Sequence, residues 1–412
     1  MQRKRIKWVT GFLGVILIIG LITAGCGTKA PEKETIKFGF SASLSGWANV
    51  AVETIMHPYT LWEEQINAEG GLYVEDIGKR VPVELVYYDD KSSADEVVKI
   101  YERLVTIDKV DILLSPWGTW ASFPLLSLVE KYQVPLVNAT CGTEEILGVE
   151  SDYWWTFANW LGIVTGPATA DMLSANKATI GNKVAYMGLI YPAILDFKKS
   201  FIPAAEAAGF DIVLQKDYPM EVTDLTDVLV AAKNLNPDAL VVGSITADML
   251  LIIKQSREIG FDPKTIYFFV GPGISVFFDI LGEASEGITA MGHWDRQGPG
   301  PGSAEFYASY VERFGSQPDM GDTPMHWVVL QVMEQAIEKA GTLDSEEINN
   351  VIATEEFMTI MGPVKFDADQ VARTGIFGTG GIGQAQGGEV KLIHPSQYAS
   401  SEFILRPPWP AG

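Results

Sequence analysis

The sequence predicts an α/β protein made of two units, each a doubly wound parallel sheet with crossover helices, behind a basic and apolar leader. Three observations carry that prediction. Short apolar runs alternate with helix-length stretches from residue 36 onward, and the alternation occurs in two successive sets. The chain, at 412 residues, is also longer than the roughly 250–300 residues at which a single core stops growing. Alternation of this kind points to parallel sheets because parallel neighbours need a long crossover between them.

The first set opens with the strand IKFGF (36–40), then a helix over 52–68 closed by Gly70 and Gly71. VPVELVYY (81–88) is the next strand and a helix over 94–106 follows it. Ser93 and Glu96 fit a capping box, in which hydroxyl and carboxylate each bind a free backbone N–H of the first turn. VDILLS (110–115), a helix over 123–132 and PLVN (135–138) complete the set. The second set runs KVAYMGLI (183–190), helix 196–208, DIVLQ (211–215), helix 225–235, ALVVG (239–243), helix 248–259 and TIYFFVG (265–271). Between the sets, residues 152–160 are too apolar for a solvated linker. After them, ITAMGHW (288–294), a loop over 297–302 and a long helix over 324–340 suggest a return to the first unit. The Gly- and Pro-rich end predicts a hairpin within 380–391 and a strap along the surface.

The leader reads MQRKRIK, then 18 uncharged residues, then Cys26. That is the order of a secretory signal over 1–25. Residues 22–26, ITAGC, resemble a lipobox with Thr23 where Leu is usual, so Cys26 is expected to be lipidated and to become the mature N-terminus. The alternative is an uncleaved anchor at the short edge of what spans about 30 Å of hydrocarbon. Residues 26–35 then form a lipidated, flexible tether. Cys141 is the second of two cysteines, so an intramolecular disulfide in the mature chain and a Cys-based zinc site are both excluded.

Charge narrows the partners. Acidic residues number 52 against 30 basic ones, and four of the bases lie in the leader, which leaves a balance of −26 after it. Nucleic acid, held mainly by clustered Lys and Arg, is therefore excluded. Residues 378–383 match GxGxxG but lie too near the end for a βαβ unit. His57, His293, His326 and His394 lack metal-ligand spacing, and Asp89–Asp90 and Asp367–Asp369 read as turn carboxylates. No cofactor, metal or catalytic group is predicted.

Ligands of parallel α/β sheets sit beyond the carboxyl ends of the strands. Three loops there are rich in small hydroxyl residues: SASLSGWAN (41–49), SPWGTWAS (115–122) and NATCGT (138–143). Trp47, Trp117 and Trp120 lie in them, where each indole either covers an apolar ligand or packs an interface. Trp62, Trp154 and Trp155 read as core.

With these loops in view, the sequence resembles the substrate-binding proteins of branched-chain amino acid ABC transporters, the leucine/isoleucine/valine-binding family with the type I periplasmic binding fold. The resemblance spans almost the whole mature chain, through IKFGFSASLSG, QINAEGG, VYYDDKSSADE, the loop at Ser115, VPLVNATCGT, FFVGP, MGPVKFDADQ and VKLIHPSQY. It implies two lobes joined by a three-crossing hinge, lobe one at 36–158 plus 289–364 and lobe two at 159–288 plus 365–412. It further implies a monomeric, extracytoplasmic lipoprotein that is not an enzyme, closes over a small-molecule ligand and delivers it to an ABC permease in the membrane. A ligand-sensing module for a receptor is the rival reading.

By the same resemblance, lobe one holds a ligand carboxylate through Ser115, Trp117, Gly118 and Thr119 and through Thr140, Cys141, Gly142 and Thr143, with Ser115, Thr119 and Thr143 foremost. Trp47 adds cover, Tyr191, Thr246 and Gly273 come from lobe two, and Trp327 is an aromatic from a lobe-one helix. Gly273 departs from the family, whose amino acid binders carry there a glutamate for the ligand ammonium. An unpaired buried ammonium costs several kcal/mol. Unless Asp196, Asp248 or Asp279 substitutes, the expected ligand is a small carboxylate with an apolar or aromatic body, an amino acid being the alternative.

Overall fold

The computed structural model describes residues 33–149, 151–270 and 276–410, with the side chains of 246, 247, 276 and 279 outside the description. The signal and lipidation expectations, Cys26 included, also lie outside the described residues, as does Gly273. Among the described residues no helix is long and apolar enough to cross a membrane.

The strands follow the predicted alternation. The first region holds β1 (Ile36–Ala42), the hairpin β2 (Leu72–Val74) and β3 (Lys79–Val81), β4 (Val83–Asp89), β5 (Ile112–Leu113), β6 (Leu136–Val137) and β7 (Trp154–Phe157). The second holds β8 (Lys183–Leu189), β9 (Asp211–Tyr218), β10 (Ala239–Gly243), β11 (Thr265–Phe268) and β12 (Thr289–Met291). The last stretch adds the hairpin β13 (Phe357–Thr359) and β14 (Gly362–Val364), then β15 (Val371–Ala372), β16 (Ile382–Gln386) and β17 (Glu389–His394). Two parallel three-stranded sheets, β4-β1-β5 and β15-β7-β6, serve the first region. A seven-stranded sheet, β17-β16-β12-β11-β10-β8-β9, serves the second, parallel except for the antiparallel β16 and β17 at one edge.

Strand pairing shifts two expected boundaries toward the C-terminus. β12 pairs with β11, Tyr267 opposite Thr289, so 289–291 extends the second sheet instead of returning to the first. β15 pairs with β7, Val371 opposite Thr156, so the first region holds the chain past 364. In both places a short strand completes a sheet edge before the chain crosses. The apolar stretch at 152–160 becomes β7 and a tight turn, Ala158–Trp160.

The helices bury the sheet faces. Glu53–Ala68 packs against the long helix Asp322–Ala340, and Trp62 Nε1 donates to Glu334 between them at 2.9 Å. Ser93 accepts from the Glu96 N–H at 3.5 Å, but the Glu96 carboxylate pairs with Lys99 at 2.7 Å, so only half of the capping box forms. The helix expected over 123–132 is broken into Phe123–Leu125 and Leu126–Tyr132, with Pro124 in the first turn. The C-terminal strap is held by Trp409 Nε1 on the Phe261 carbonyl at 2.7 Å and by the buried Arg406, which pairs with Asp262.

Candidate functional site

Loops from the carboxyl ends of strands in both regions meet at one cavity. Trp47 follows β1, Trp117 to Trp120 follow β5, and Thr140 and Gly142 follow β6. Facing them, Tyr191, Ala193 and Ile194 follow β8, Ile245 follows β10, and Phe269 and Val270 follow β11. Trp160 and Asp322 complete the wall. The empty space between these walls, its opening to solvent included, is about 540 Å³.

Two loops are laced together by threonines. Gly118 N–H donates to Thr140 Oγ1 at 2.7 Å, and Gly142 N–H donates to Thr119 Oγ1 at 2.9 Å. Gly118 has φ +83°, and a Cβ there would stand 3.0 Å from the Trp120 ring, so the turn that aims this indole requires glycine. The three loop tryptophans form one apolar wall: Trp47 lies 6.3 Å from Trp117 and 5.4 Å from Trp120, centroid to centroid. Across the cleft the Tyr191 hydroxyl accepts from the Trp120 N–H at 3.2 Å, and Asp196 accepts from the Glu144 N–H at 2.9 Å.

The polar groups left over define what the cavity can hold. The indole N–H groups of Trp120 and Trp160 are buried without a partner; such a group can only donate. Among the described residues no Lys or Arg lines the wall. Its one carboxyl, Asp322, is 4% exposed and accepts from Trp117 Nε1 at 2.9 Å. Asp319 stands just before it and takes the start of the helix, accepting from the N–H groups of Gly321 (2.9 Å) and Thr323 (3.0 Å) and from the Thr323 hydroxyl. Burial raises both acids above the ordinary carboxylate range, and the Asp319 charge adds to the rise at Asp322, which reaches about 8. Burial likewise pushes the Tyr191 hydroxyl up to about 12 and His326, one turn along the helix, down to about 4. Burial and the neighbouring Asp319 charge thus favour the protonated form of Asp322 on the wall.

The structure brings together Trp47, Trp117, Gly118, Thr119, Thr140, Gly142 and Tyr191 from the expected set. Four others stand behind the wall. Ser115 is fully buried, donating to the Pro116 carbonyl at 2.8 Å and accepting from the Ala139 N–H at 3.1 Å, so its hydroxyl joins the ends of β5 and β6. Thr143 caps the turn Glu144–Ile146 by accepting from the Glu145 N–H. Cys141 is fully buried in an apolar cluster, with its thiol pushed up to about 12. Trp327 packs against Phe306 in the core, the rings tilted and their centroids 4.6 Å apart. Thr246 begins the helix Thr246–Glu258 beside Ile245, its side chain outside the description.

Two of the three acids weighed as glutamate substitutes are engaged elsewhere. Asp196 holds the Glu144 N–H, and Asp248 accepts from the Ile245 N–H and the Tyr218 hydroxyl; the Asp279 side chain lies outside the description. Sequence reasoning missed Asp322, Trp160, Ala193, Ile194, Ile245 and Phe269. The signal available for most of these was position just past an apolar strand; Asp322, in the first turn of a helix, reads as an ordinary helix-start acid.

A family model described as "Periplasmic binding protein" matches residues 35–377. The Leu/Ile/Val-binding protein homolog 7 of Brucella suis is 22% identical over 410 residues, covering 95% of this chain and 98% of that protein. A branched-chain amino acid transporter substrate-binding protein from Streptococcus pneumoniae, solved with isoleucine, superposes with TM-score 0.73 at 21% identity over 88% of this chain and all of that one. An ABC transporter solute-binding protein from R. palustris, solved with benzoate, gives TM-score 0.72 at 17% identity over 90% and 97%. At these identities the structural likenesses bear on the fold, which is the two-lobed type I periplasmic binding fold.

Proposed function

The chain belongs to the periplasmic binding protein family, and on that premise we propose that it captures a small carboxylate with an apolar or aromatic body between its lobes and delivers it to an ABC permease. It is an extracytoplasmic solute-binding protein and not an enzyme. The observation that carries the ligand reading is the wall itself: indoles, Phe269 and aliphatic side chains surround a few donors, with no cation and no second acid among the described residues. The unpartnered N–H groups of Trp120 and Trp160 ask for an acceptor, and a carboxylate supplies two oxygens. Aromatic faces take a flat apolar body by dispersion and area burial. Solute-binding proteins of this fold have been solved with benzoate and with isoleucine, so the fold accommodates either class of ligand.

Capture works by population shift. Tyr191 and Asp196 already bridge to the opposite loops, and a ligand touching both walls favours the closed arrangement only by its differential affinity for the two states. Lipidation at Cys26 with a leash over 26–35 would hold the closed protein near the permease, and it would act as a monomer. Titration calorimetry with benzoate, leucine and isoleucine tests the ligand class: benzoate binds at least tenfold more tightly than either amino acid. Submicromolar leucine binding with no binding of aromatic acids would overturn it.

A further inference from the structure

We propose that Asp322 determines the specificity of the cleft as a neutral acid, donating its O–H to a ligand carboxylate, so that capture requires its proton. This rests on the carboxylate reading above. Its geometry sets it apart from the other acids near the cleft. The carboxyl is almost wholly buried on the wall, and among the described residues its only hydrogen-bond partner is Trp117 Nε1, on Oδ2. A buried carboxylate without a cation is expensive. Two arrangements relieve that cost: a proton on Asp322, or a cationic ligand beside it.

The surroundings favour the proton. Asp319 occupies the helix N-terminus, where three donors and the helix dipole stabilise its charge. Two neighbouring carboxyls do not both ionise easily, so the proton goes to the one with a single donor. The other titratable groups nearby do not reverse this. His326 is held neutral by burial; its Nδ1 faces the Asp322 carbonyl oxygen at 2.8 Å. Tyr191 across the cavity is neutral, and Tyr310 is raised by its own burial and by Asp319. Trp120 and Trp160, whose buried indole N–H groups have no partner among the described residues, line the same cavity as Asp322, so the groups around it favour an anionic acceptor. Above its titration Asp322 is an anion, and binding a carboxylate must take one proton from solvent.

The test is calorimetry of the intact protein with benzoate at pH 6, 7.5 and 9, in buffers of different ionisation heat, repeated for Asp322→Asn. With Asp322 titrating at about 8, wild type binds about tenfold more weakly at pH 9 than at pH 6. At pH 9 binding takes up close to one proton, and at pH 6 almost none. An amide donates more weakly than an acid, so the variant loses about fivefold at pH 6 and shows a flat profile, crossing that of wild type between pH 8 and 9 and binding about twofold more tightly than it at pH 9. Binding without proton uptake at pH 9, or benzylamine binding better than benzoate and vanishing in Asp322→Asn, overturns the inference alone. Failure of benzoate and phenylacetate to bind at any pH overturns the ligand reading beneath it. The proton-uptake measurement needs no variant, so it stands even if Asp322→Asn folds poorly.

Discussion

Single side chains in this cleft divide into those that line the cavity and those that stand behind it, and residue type alone does not sort them. Ser115, Thr119, Thr140 and Thr143 are four buried hydroxyls on two adjacent loops. All four accept from a backbone N–H, but Thr119 and Thr140 do so on the cavity wall and Ser115 and Thr143 behind it. Small hydroxyl residues in a strand-end loop were legible in the sequence, whereas the direction of each depended on which N–H lacked a partner. Ser115→Ala therefore acts on stability: it leaves the buried Ala139 N–H unsatisfied, at a cost of about 1–3 kcal/mol. Thermal or denaturant unfolding should show that loss with benzoate affinity within about twofold of wild type. A large affinity loss with unchanged stability would return Ser115 to the ligand. The tryptophans were easier to place, because an indole in a glycine- and serine-rich loop has little local core to enter. Asp322 was illegible for the opposite reason: acids at helix starts are common, and only the packing of Trp117 and Asp319 around it makes this one unusual.

At the level of elements, strands were read well and small-residue helices poorly. The runs at 36–40, 183–190 and 239–243 became β1, β8 and β10 because they are continuous, apolar and bounded by turn residues. The helix Gly162–Ala175, rich in Gly, Ala and Thr, shows little apolar periodicity, yet it lies tightly against Pro192–Ala207. A Cβ at Gly166 would come within 2.6 Å of the Phe201 nitrogen, so glycine allows the two backbones to approach. This pair forms the support of Tyr191, Ala193 and Ile194 on the cavity wall. Gly166→Val should force the helices apart and destabilise the protein by about 1–3 kcal/mol, read as a fall in melting temperature. An unchanged melting temperature would mean that the contact is looser than described. The broken helix at 123–132 has a similar lesson, since Pro124 was visible in the sequence but its tolerance in a first turn decides where the break falls.

For the whole molecule, the sequence carried the architecture through the repetition of one strand-helix plan, and the family resemblance supplied the crossings. Their positions needed the sheets. β12 and β15 are three and two residues long, too short for an alternation pattern to assign them to one lobe or the other, and hydrogen-bond pairing alone does so. The net charge, −26 without the leader, excluded nucleic acid but was silent on the ligand, because the cavity wall holds a single carboxyl among the described residues. The proposed capture therefore rests on local donors in a cleft with a single carboxyl, bridged by contacts such as Tyr191 to Trp120. Native mass spectrometry of the mature protein purified from its own host, followed by release and fragmentation of whatever it retains, tests this most directly. The account predicts a small carboxylate with an apolar or aromatic body and no α-ammonium group; retention of leucine, isoleucine or another α-amino acid would contradict it.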